Sequence, residues 1–152
     1  MRGRPQGEIL NELLSRCLLP HFFRPLSAPF FWLAYQFLGA DPFPLRVLLV
    51  VLHAAAAYGV HGVARELSGS RTIGVIAACA YGFSWIHWAA LSTVTIGHCS
   101  AHALFWYALW RYARQPADAA GLRRILALIT VGILFKEDVI AFPLFAAAVD
   151  LS

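Results

Sequence analysis

The stretch Leu134-Phe135-Lys136-Glu137-Asp138-Val139 places three consecutive charged residues inside an apolar run that extends from Ile125 to Val149. A charge in the middle of a bilayer costs about 2.5–3.5 kcal/mol on insertion scales, so charged groups in such runs usually face protein or a water-filled cavity. Two interpretations follow. The triplet either lines a substrate site, or it caps two short helices at a water interface and forms its own ion pairs. We favour the substrate site, because three adjacent charges exceed what a tight turn needs.

The composition around this stretch is that of a membrane protein. Of the 152 residues, 60% are hydrophobic and only 13% are charged, whereas about a quarter of an ordinary soluble domain is charged. The sequence therefore predicts an all-α, polytopic transmembrane helix bundle, an integral multi-pass protein of a bacterial inner (plasma) membrane. The net charge of +4 comes from basic residues between the apolar runs, as membrane topology requires. We therefore expect the lipid bilayer, and no nucleic acid, as a partner.

Four apolar segments within this single membrane region, residues 1–152, are predicted to be membrane helices. They are residues 45–64, 72–91, 98–113 and 123–150. The last is broken near residues 136–138, either as one long kinked helix or as two short helices that meet at the charged triplet. The sequence does not decide between these two forms.

The N-terminal part precedes these helices without crossing the membrane. Residues 1–25 carry four arginines and are predicted to be an external loop. Residues 26–39 are apolar but fall short of the roughly 20 residues that a spanning helix needs. They contain Trp32 and Tyr35, and these residue types are favoured at the level of the lipid headgroups. We therefore predict one external interfacial helix at 26–39, ended by Gly39.

The distribution of arginines predicts the orientation of the chain. The loops at 65–71 and 111–124 hold six arginines and the turn at 92–97 holds none, so the first two are predicted to be cytoplasmic. That orientation leaves residues 1–44 outside, together with their arginines. An arginine-rich external start is typical of a loop whose preceding helix is missing, so we expect the chain to be a fragment of a larger membrane protein.

Polar residues at the outer ends of the apolar helices are the candidate functional groups. Motifs of soluble enzymes, such as a glycine-rich phosphate loop, HExxH or Gly-x-Ser-x-Gly, are absent from the sequence. The remaining polar residues are Arg24, His87, His98, His102, Lys136, Glu137 and Asp138.

The order of several short motifs resembles a family of membrane enzymes. The chain carries, in sequence, Phe23-Arg24-Pro25-Leu26-Ser27, Pro42-Phe43 before a helix with His53, His87 at an aromatic helix end, and Phe135-Lys136-Glu137-Asp138 with Pro143. This order is similar to that of the GT-C glycosyltransferases, and more narrowly to the protein O-mannosyltransferase-like group. The resemblance covers residues 22–151 and only part of such an enzyme.

The resemblance implies transfer of a sugar from a polyprenyl-phosphate-linked donor to an acceptor at the outer face of the membrane. The leaving group is an anionic phosphate, which cations at the outer boundary would bind. The residues implied to bind substrate and lipid phosphate are Arg24, His87, Lys136, Glu137 and Asp138. The family's catalytic acid lies on an upstream external loop after an initial helix. Glu8 and Glu12 lack that context, so no catalytic residue is assigned, and we expect the chain alone to transfer no sugar.

The cofactor is left open by the sequence. Glu137 or Asp138 could act through a divalent metal ion. His98 and His102 stand four residues apart and could form half of a metal site, but no third ligand lies nearby in the sequence. We therefore assign no metal ligands.

Two other classes of protein share these sequence features. A transporter or channel segment can contain a broken helix with charges that form a solute site. A non-catalytic membrane scaffold needs only the apolar helices. Neither alternative is excluded by the sequence.

The predicted orientation is testable by cysteine accessibility. In a version without native cysteines, we expect an impermeant thiol reagent added from outside to label a cysteine at Ser92 and not one at Ser70. The physical reason is the bias of arginine toward cytoplasmic loops. Labelling of Ser70 but not Ser92 would reverse the topology.

Overall fold

The computed structural model of the chain describes residues 7–8, 11, 24–39, 41–84, 96–114 and 118–151. Within these residues all regular structure is helical, which confirms the all-α prediction. The helices are α1 Ser27–Leu38, α2 Pro42–Ser68, α3 Arg71–Gly82, α4 Ile96–Arg114, α5 Ala119–Phe135 and α6 Phe142–Asp150, with a 3₁₀ turn, Glu137–Ala141, between α5 and α6.

Side-chain caps and glycines explain where the helices begin and end. Helix α2 begins at Pro42, three residues before its predicted start, because Asp41 accepts a hydrogen bond from the Phe43 N–H at 2.9 Å and proline is tolerated in a first helical turn. Helix α1 ends at Gly39 and α2 at Gly69, with φ values of 77° and 66°. The helix predicted at 26–39 is thus present as α1, and its placement at a membrane interface stays a prediction.

Helices α2 and α3 pack as an antiparallel pair. The His53 ring, in the first half of α2, lies 3.2 Å from the Gly82 carbonyl oxygen at the end of α3. At the other end of the pair, Gly74 of α3 lies against His61 of α2, so closely that an added Cβ would meet the ring at 2.7 Å. Small residues thus permit the close approach of the two helices.

Helices α2 and α4 run parallel to each other, and α5 runs back along α4. Gly59 of α2 lies against Trp106 of α4, and Gly62, one turn later, against Trp110. Phe135, at the end of α5, lies beside Gly97 at the start of α4. Helices α2 and α4 therefore begin at the same end of the bundle, where α5 ends.

One end of the bundle, here called the arginine end, collects the basic loops. The end of α2, the start of α3, the end of α4 and the start of α5 meet there. Its arginines are Arg65, Arg71, Arg111, Arg114, Arg123 and Arg124. The opposite end carries Lys136, Glu137 and Asp138, which we call the charged turn.

The structure resolves the form of the last apolar stretch. Lys136 has φ −161° and ψ 137°, an extended conformation that ends α5 and precedes the 3₁₀ turn. Helix α6 then begins with Pro143 in its first turn. Residues 123–150 therefore form two helices that meet at the charged turn, rather than one kinked helix.

Among the described residues, the larger of two buried clusters lies between α4, α5, the 3₁₀ turn and α6, and a smaller one lies between α1, α2 and the start of α4. Val139 of the turn is 1% exposed and Leu109 of α4 is 2% exposed. Phe105 stacks edge-on against Phe142, with ring centroids 5.9 Å apart. Burial of Val139 immediately after Asp138 fixes the turn against the bundle and keeps the charged side chains at the surface of this end.

One described helix has the length and composition to cross a membrane. Among the helices described, only α2 is long and apolar enough to cross a membrane, with a mean hydropathy of 1.8 over its most apolar window. Helix α3 ends at Gly82, and the remainder of the predicted 72–91 span falls largely outside the described residues. The multi-pass topology stays a prediction.

Close packing at Gly59 predicts a sharp sensitivity to substitution. A Cβ there would lie 2.7 Å from Trp106 Cβ and 2.9 Å from its backbone carbon, so we expect Gly59→Ala to lower the thermal unfolding midpoint. Overpacking costs about 1–3 kcal/mol, more than the roughly 0.5–1 kcal/mol by which alanine improves a helix over glycine.

Gly82→Ala is the matched control, because nothing lies within 4 Å of its added Cβ. We expect its thermal unfolding midpoint, measured in detergent under the same conditions as for Gly59→Ala, to equal or exceed that of the unmodified chain. Equal midpoints for the two variants would contradict the packing of α2 on α4.

Candidate functional site

The charged turn is held in place by the segment before α1. The break at Lys136 leaves the last carbonyls of α5 without partners in the helix. The Leu26 N–H donates to the Leu134 carbonyl at 3.1 Å, and the Ser27 hydroxyl donates to the Phe135 carbonyl at 2.7 Å. Two residues more than a hundred positions earlier thus complete the end of α5.

Arg24 and Glu137 form a two-pronged ion pair beside this junction. Arg24 Nε donates to Glu137 Oε2 at 3.0 Å and Nη2 donates to Oε1 at 2.7 Å. The side chains are 26% and 49% exposed. The hydrogen bonds from Arg24 lower the pKa of Glu137 to about 2, so Glu137 is a carboxylate at any physiological pH.

Lys136 turns the other way, toward the start of α4. Its ammonium group contacts Asp138 Oδ2 and lies 2.9 Å from His98 Nδ1. An ammonium group only donates hydrogen bonds, so His98 Nδ1 must be the acceptor. His98 is therefore neutral in this arrangement, with its hydrogen on Nε2.

A second histidine and a tyrosine continue the polar cluster into the bundle. His102 lies one turn after His98 on α4, with ring centroids 4.1 Å apart. Its Nδ1 lies 2.9 Å from the Tyr81 hydroxyl. Tyr81 in turn stacks on His53 with centroids 5.3 Å apart. Polar side chains of α2, α3, α4 and the charged turn therefore form one continuous set.

A cavity of about 320 Å³ opens beside this cluster. It is lined by Tyr81, His102, Phe105, Trp106, Asp138, Val139, Ala141 and Phe145. A larger cavity of about 510 Å³ lies between α4 and α5 toward the arginine end, and none of the predicted site residues lines it. The smaller cavity is the better candidate because it joins aromatic surface to Asp138 and His102.

Four of the five predicted site residues come together at this end. Arg24, Lys136, Glu137 and Asp138 form two adjacent ion pairs, and His87 lies outside the described residues. The alternative interpretation of the triplet is also supported, because Lys136 ends α5 and pairs with Asp138 within the turn. Asp138, which is distant from His98 and His102 in the sequence, lies beside both of them in the structure and offers a third potential ligand atom.

Ser27 and Tyr81 were missed by the sequence analysis. Ser27 ends the motif that begins at Phe23, and nothing local distinguishes it from other serines at helix starts. Tyr81 belongs to a series of aromatic residues and has no special spacing. Their roles come from contacts between segments that are distant in the sequence, and local sequence patterns do not predict such contacts.

The Arg24–Glu137 pair is testable by a double-mutant cycle. For Arg24→Met, Glu137→Gln and the double variant, we expect a coupling free energy of unfolding of about 0.2–1 kcal/mol at neutral pH, the range for exposed pairs. Because the folded pKa of Glu137 lies below its ordinary 4.5, the coupling should persist above pH 4.5 and disappear as the pH falls toward 2. A coupling that is the same at pH 7 and pH 2 would contradict the ion pair.

Comparison of the chain with protein-family models, curated proteins and solved structures finds no match.

Proposed function

We propose that the charged-turn end binds the phosphate of a lipid-linked sugar donor, as part of a membrane glycosyltransferase of the GT-C type. In this proposal the donor is a polyprenyl-phosphate-linked sugar, and transfer to an acceptor takes place at the outer face of a membrane. Arg24 and Lys136 bind the phosphate, and in its absence Glu137 and Asp138 pair with the two cations. The sugar, the acceptor and the catalytic base are not assigned.

The observation that carries this proposal is the meeting of Arg24 with the charged turn. The two are 113 positions apart along the chain, yet Arg24 contacts Glu137 at 2.7 Å, next to the Lys136–Asp138 pair. Arginine presents a planar fork that matches phosphate as well as carboxylate, while lysine supplies a point charge. Two different cations at one end of an apolar bundle suit an anionic headgroup.

The apolar outer surface supports the lipid part of the proposal. Only 33% of the most apolar window of α2 is buried, and Val50 and Val51 are more than half exposed. A core helix of a soluble protein would have most of this surface covered. Exposed apolar area of this kind indicates contact with lipid or with another apolar partner.

Both cations are engaged by carboxylates, so phosphate binding requires an exchange of partners. Arg24 and Lys136 balance Glu137 and Asp138 in charge, and the cluster as a whole is neutral. A phosphate would take the place of Glu137 on the arginine fork, and the half-exposed Glu137 side chain would move into solvent. Glu137 therefore acts as an internal competitor for the ligand.

The transporter alternative shares the broken helix but differs in the position of the charges. In transporters the solute site lies near the midplane, between discontinuous helices. Here the break follows the last residue of α5 and faces the first turns of α4. This position at one end of the bundle favours a headgroup-binding surface over a midplane site.

The exchange of partners predicts opposite effects for the two members of the ion pair. We expect Arg24→Met to weaken binding of a polyprenyl phosphate in nanodiscs at least tenfold, since a charge-assisted hydrogen bond contributes about 1.5–3 kcal/mol. Glu137→Gln should strengthen binding, because the competing carboxylate is removed. The measurement is a binding isotherm with the uncharged polyprenol as control lipid.

Arg46→Met is the matched control variant. Arg46 is exposed near the start of α2, and its removal changes the net charge by the same amount as Arg24→Met. We expect its affinity to equal that of the unmodified chain. If Arg24→Met and Glu137→Gln both leave the affinity unchanged while both proteins stay folded, the pair is only structural and the proposed function fails.

A further inference from the structure

The histidine pair of α4 and Asp138 form a group with the chemistry of a metal site. One potential ligand atom from each of His98, His102 and Asp138 lies within 4.8 Å of the others. His98 Nδ1 and Asp138 Oδ2 are 4.0 Å apart. Donor atoms on a tetrahedral zinc ion with bonds of about 2.0 Å are about 3.3 Å apart. Small side-chain movements would therefore bring all three atoms onto one ion.

The position of the Lys136 ammonium group is an independent indication that these atoms favour a cation. It contacts both His98 Nδ1 and Asp138 Oδ2, which are two of the potential ligand atoms. The lone pair of His98 and the charge of Asp138 thus already converge on one positive centre. A metal ion needs the same neutral imidazole and ionised carboxylate.

Tyr81 orients the third ligand. The Tyr81 hydroxyl lies 2.9 Å from His102 Nδ1. If Nδ1 donates its hydrogen to the tyrosine oxygen, the lone pair of His102 is on Nε2, which is the form that binds a metal. Histidine ligands of metals almost always donate their second ring N–H to a carboxylate, a backbone carbonyl or a water, and the Tyr81 hydroxyl oxygen would take that place here. The contact is therefore the second interaction that a ligating histidine requires.

We propose that His98, His102 and Asp138 bind a divalent transition-metal ion, Zn²⁺ first among them, which displaces the ammonium group of Lys136. Two imidazoles and one carboxylate suit zinc and disfavour Mg²⁺ and Ca²⁺, which prefer oxygen ligands alone. His102 and Asp138 also line the 320 Å³ cavity. A fourth coordination position would face that cavity, as in sites where zinc activates a water or a substrate. Zinc binding of this kind does not depend on the proposed sugar transfer.

The test is zinc binding by the full chain in detergent, with zinc chloride alone as the ligand and a competing chelator to set the free concentration. We expect one zinc ion per chain, and a thermal unfolding midpoint that rises with free zinc, because a ligand that binds the folded state stabilises it. Absence of stoichiometric zinc at micromolar free concentration would overturn the proposal without any variant.

Variants then assign the site to these residues. We expect His102→Gln and Asp138→Asn each to weaken zinc binding at least tenfold. His61→Gln, on α2 and against Gly74, should leave it unchanged and is the matched control. Equal loss in His61→Gln, or no loss in the first two, would place the zinc elsewhere.

The Lys136→Met variant tests whether zinc displaces the Lys136 ammonium group from His98 and Asp138 or binds without displacing it. Removing the competing ammonium group should raise the zinc affinity, whereas loss of a merely structural lysine would lower it or leave it unchanged. Either of those latter results would contradict the proposal. Since this variant changes affinity in the direction opposite to the ligand variants, general loss of folding cannot imitate the full pattern.

Discussion

The break in the helix at Lys136 is the constraint on which the rest of this end depends. A helix that stops leaves carbonyl groups that need hydrogen-bond donors, and an apolar environment raises the cost of leaving them unpaired. Leu26 and Ser27 supply those donors to Leu134 and Phe135. The segment before α1 is thereby tied to the end of α5, which brings Arg24 within reach of Glu137.

The same break divides three adjacent charges between two partners. Lys136 is extended, and the two carboxylates that follow it lie in the first turn of a 3₁₀ helix. Glu137 consequently meets Arg24, while Lys136 and Asp138 meet the start of α4. Had the α-helix continued, successive side chains of residues 136–138 would have pointed about 100° apart around one axis, with Lys136 and Asp138 on roughly opposite faces.

Much of the fold could be predicted from the sequence because helix periods and caps are local signals. Gly39 ends α1 as predicted, and the predicted break near residues 136–138 is present. The contacts between side chains of the site are harder to predict from the sequence. That Asp138 completes the pair of His98 and His102 depends on how the turn packs against α4, and no spacing of residues encodes that contact. The contact of Arg24 with Glu137 depends on the same kind of packing between distant segments, so the sequence predicts a phosphate ligand for Arg24 without predicting this carboxylate partner.

Charge balance governs what this end of the bundle can bind. Two cations and two carboxylates form ion pairs with each other. An incoming ion must therefore replace one of these partners. An anion can gain access only by releasing Glu137 from Arg24, and a metal cation only by releasing Lys136 from Asp138 and His98. These two exchanges involve different pairs and different sides of the turn. The junction that holds the turn consists of hydrogen bonds from the Leu26 N–H and the Ser27 hydroxyl to backbone carbonyls, so neither exchange requires these hydrogen bonds to break.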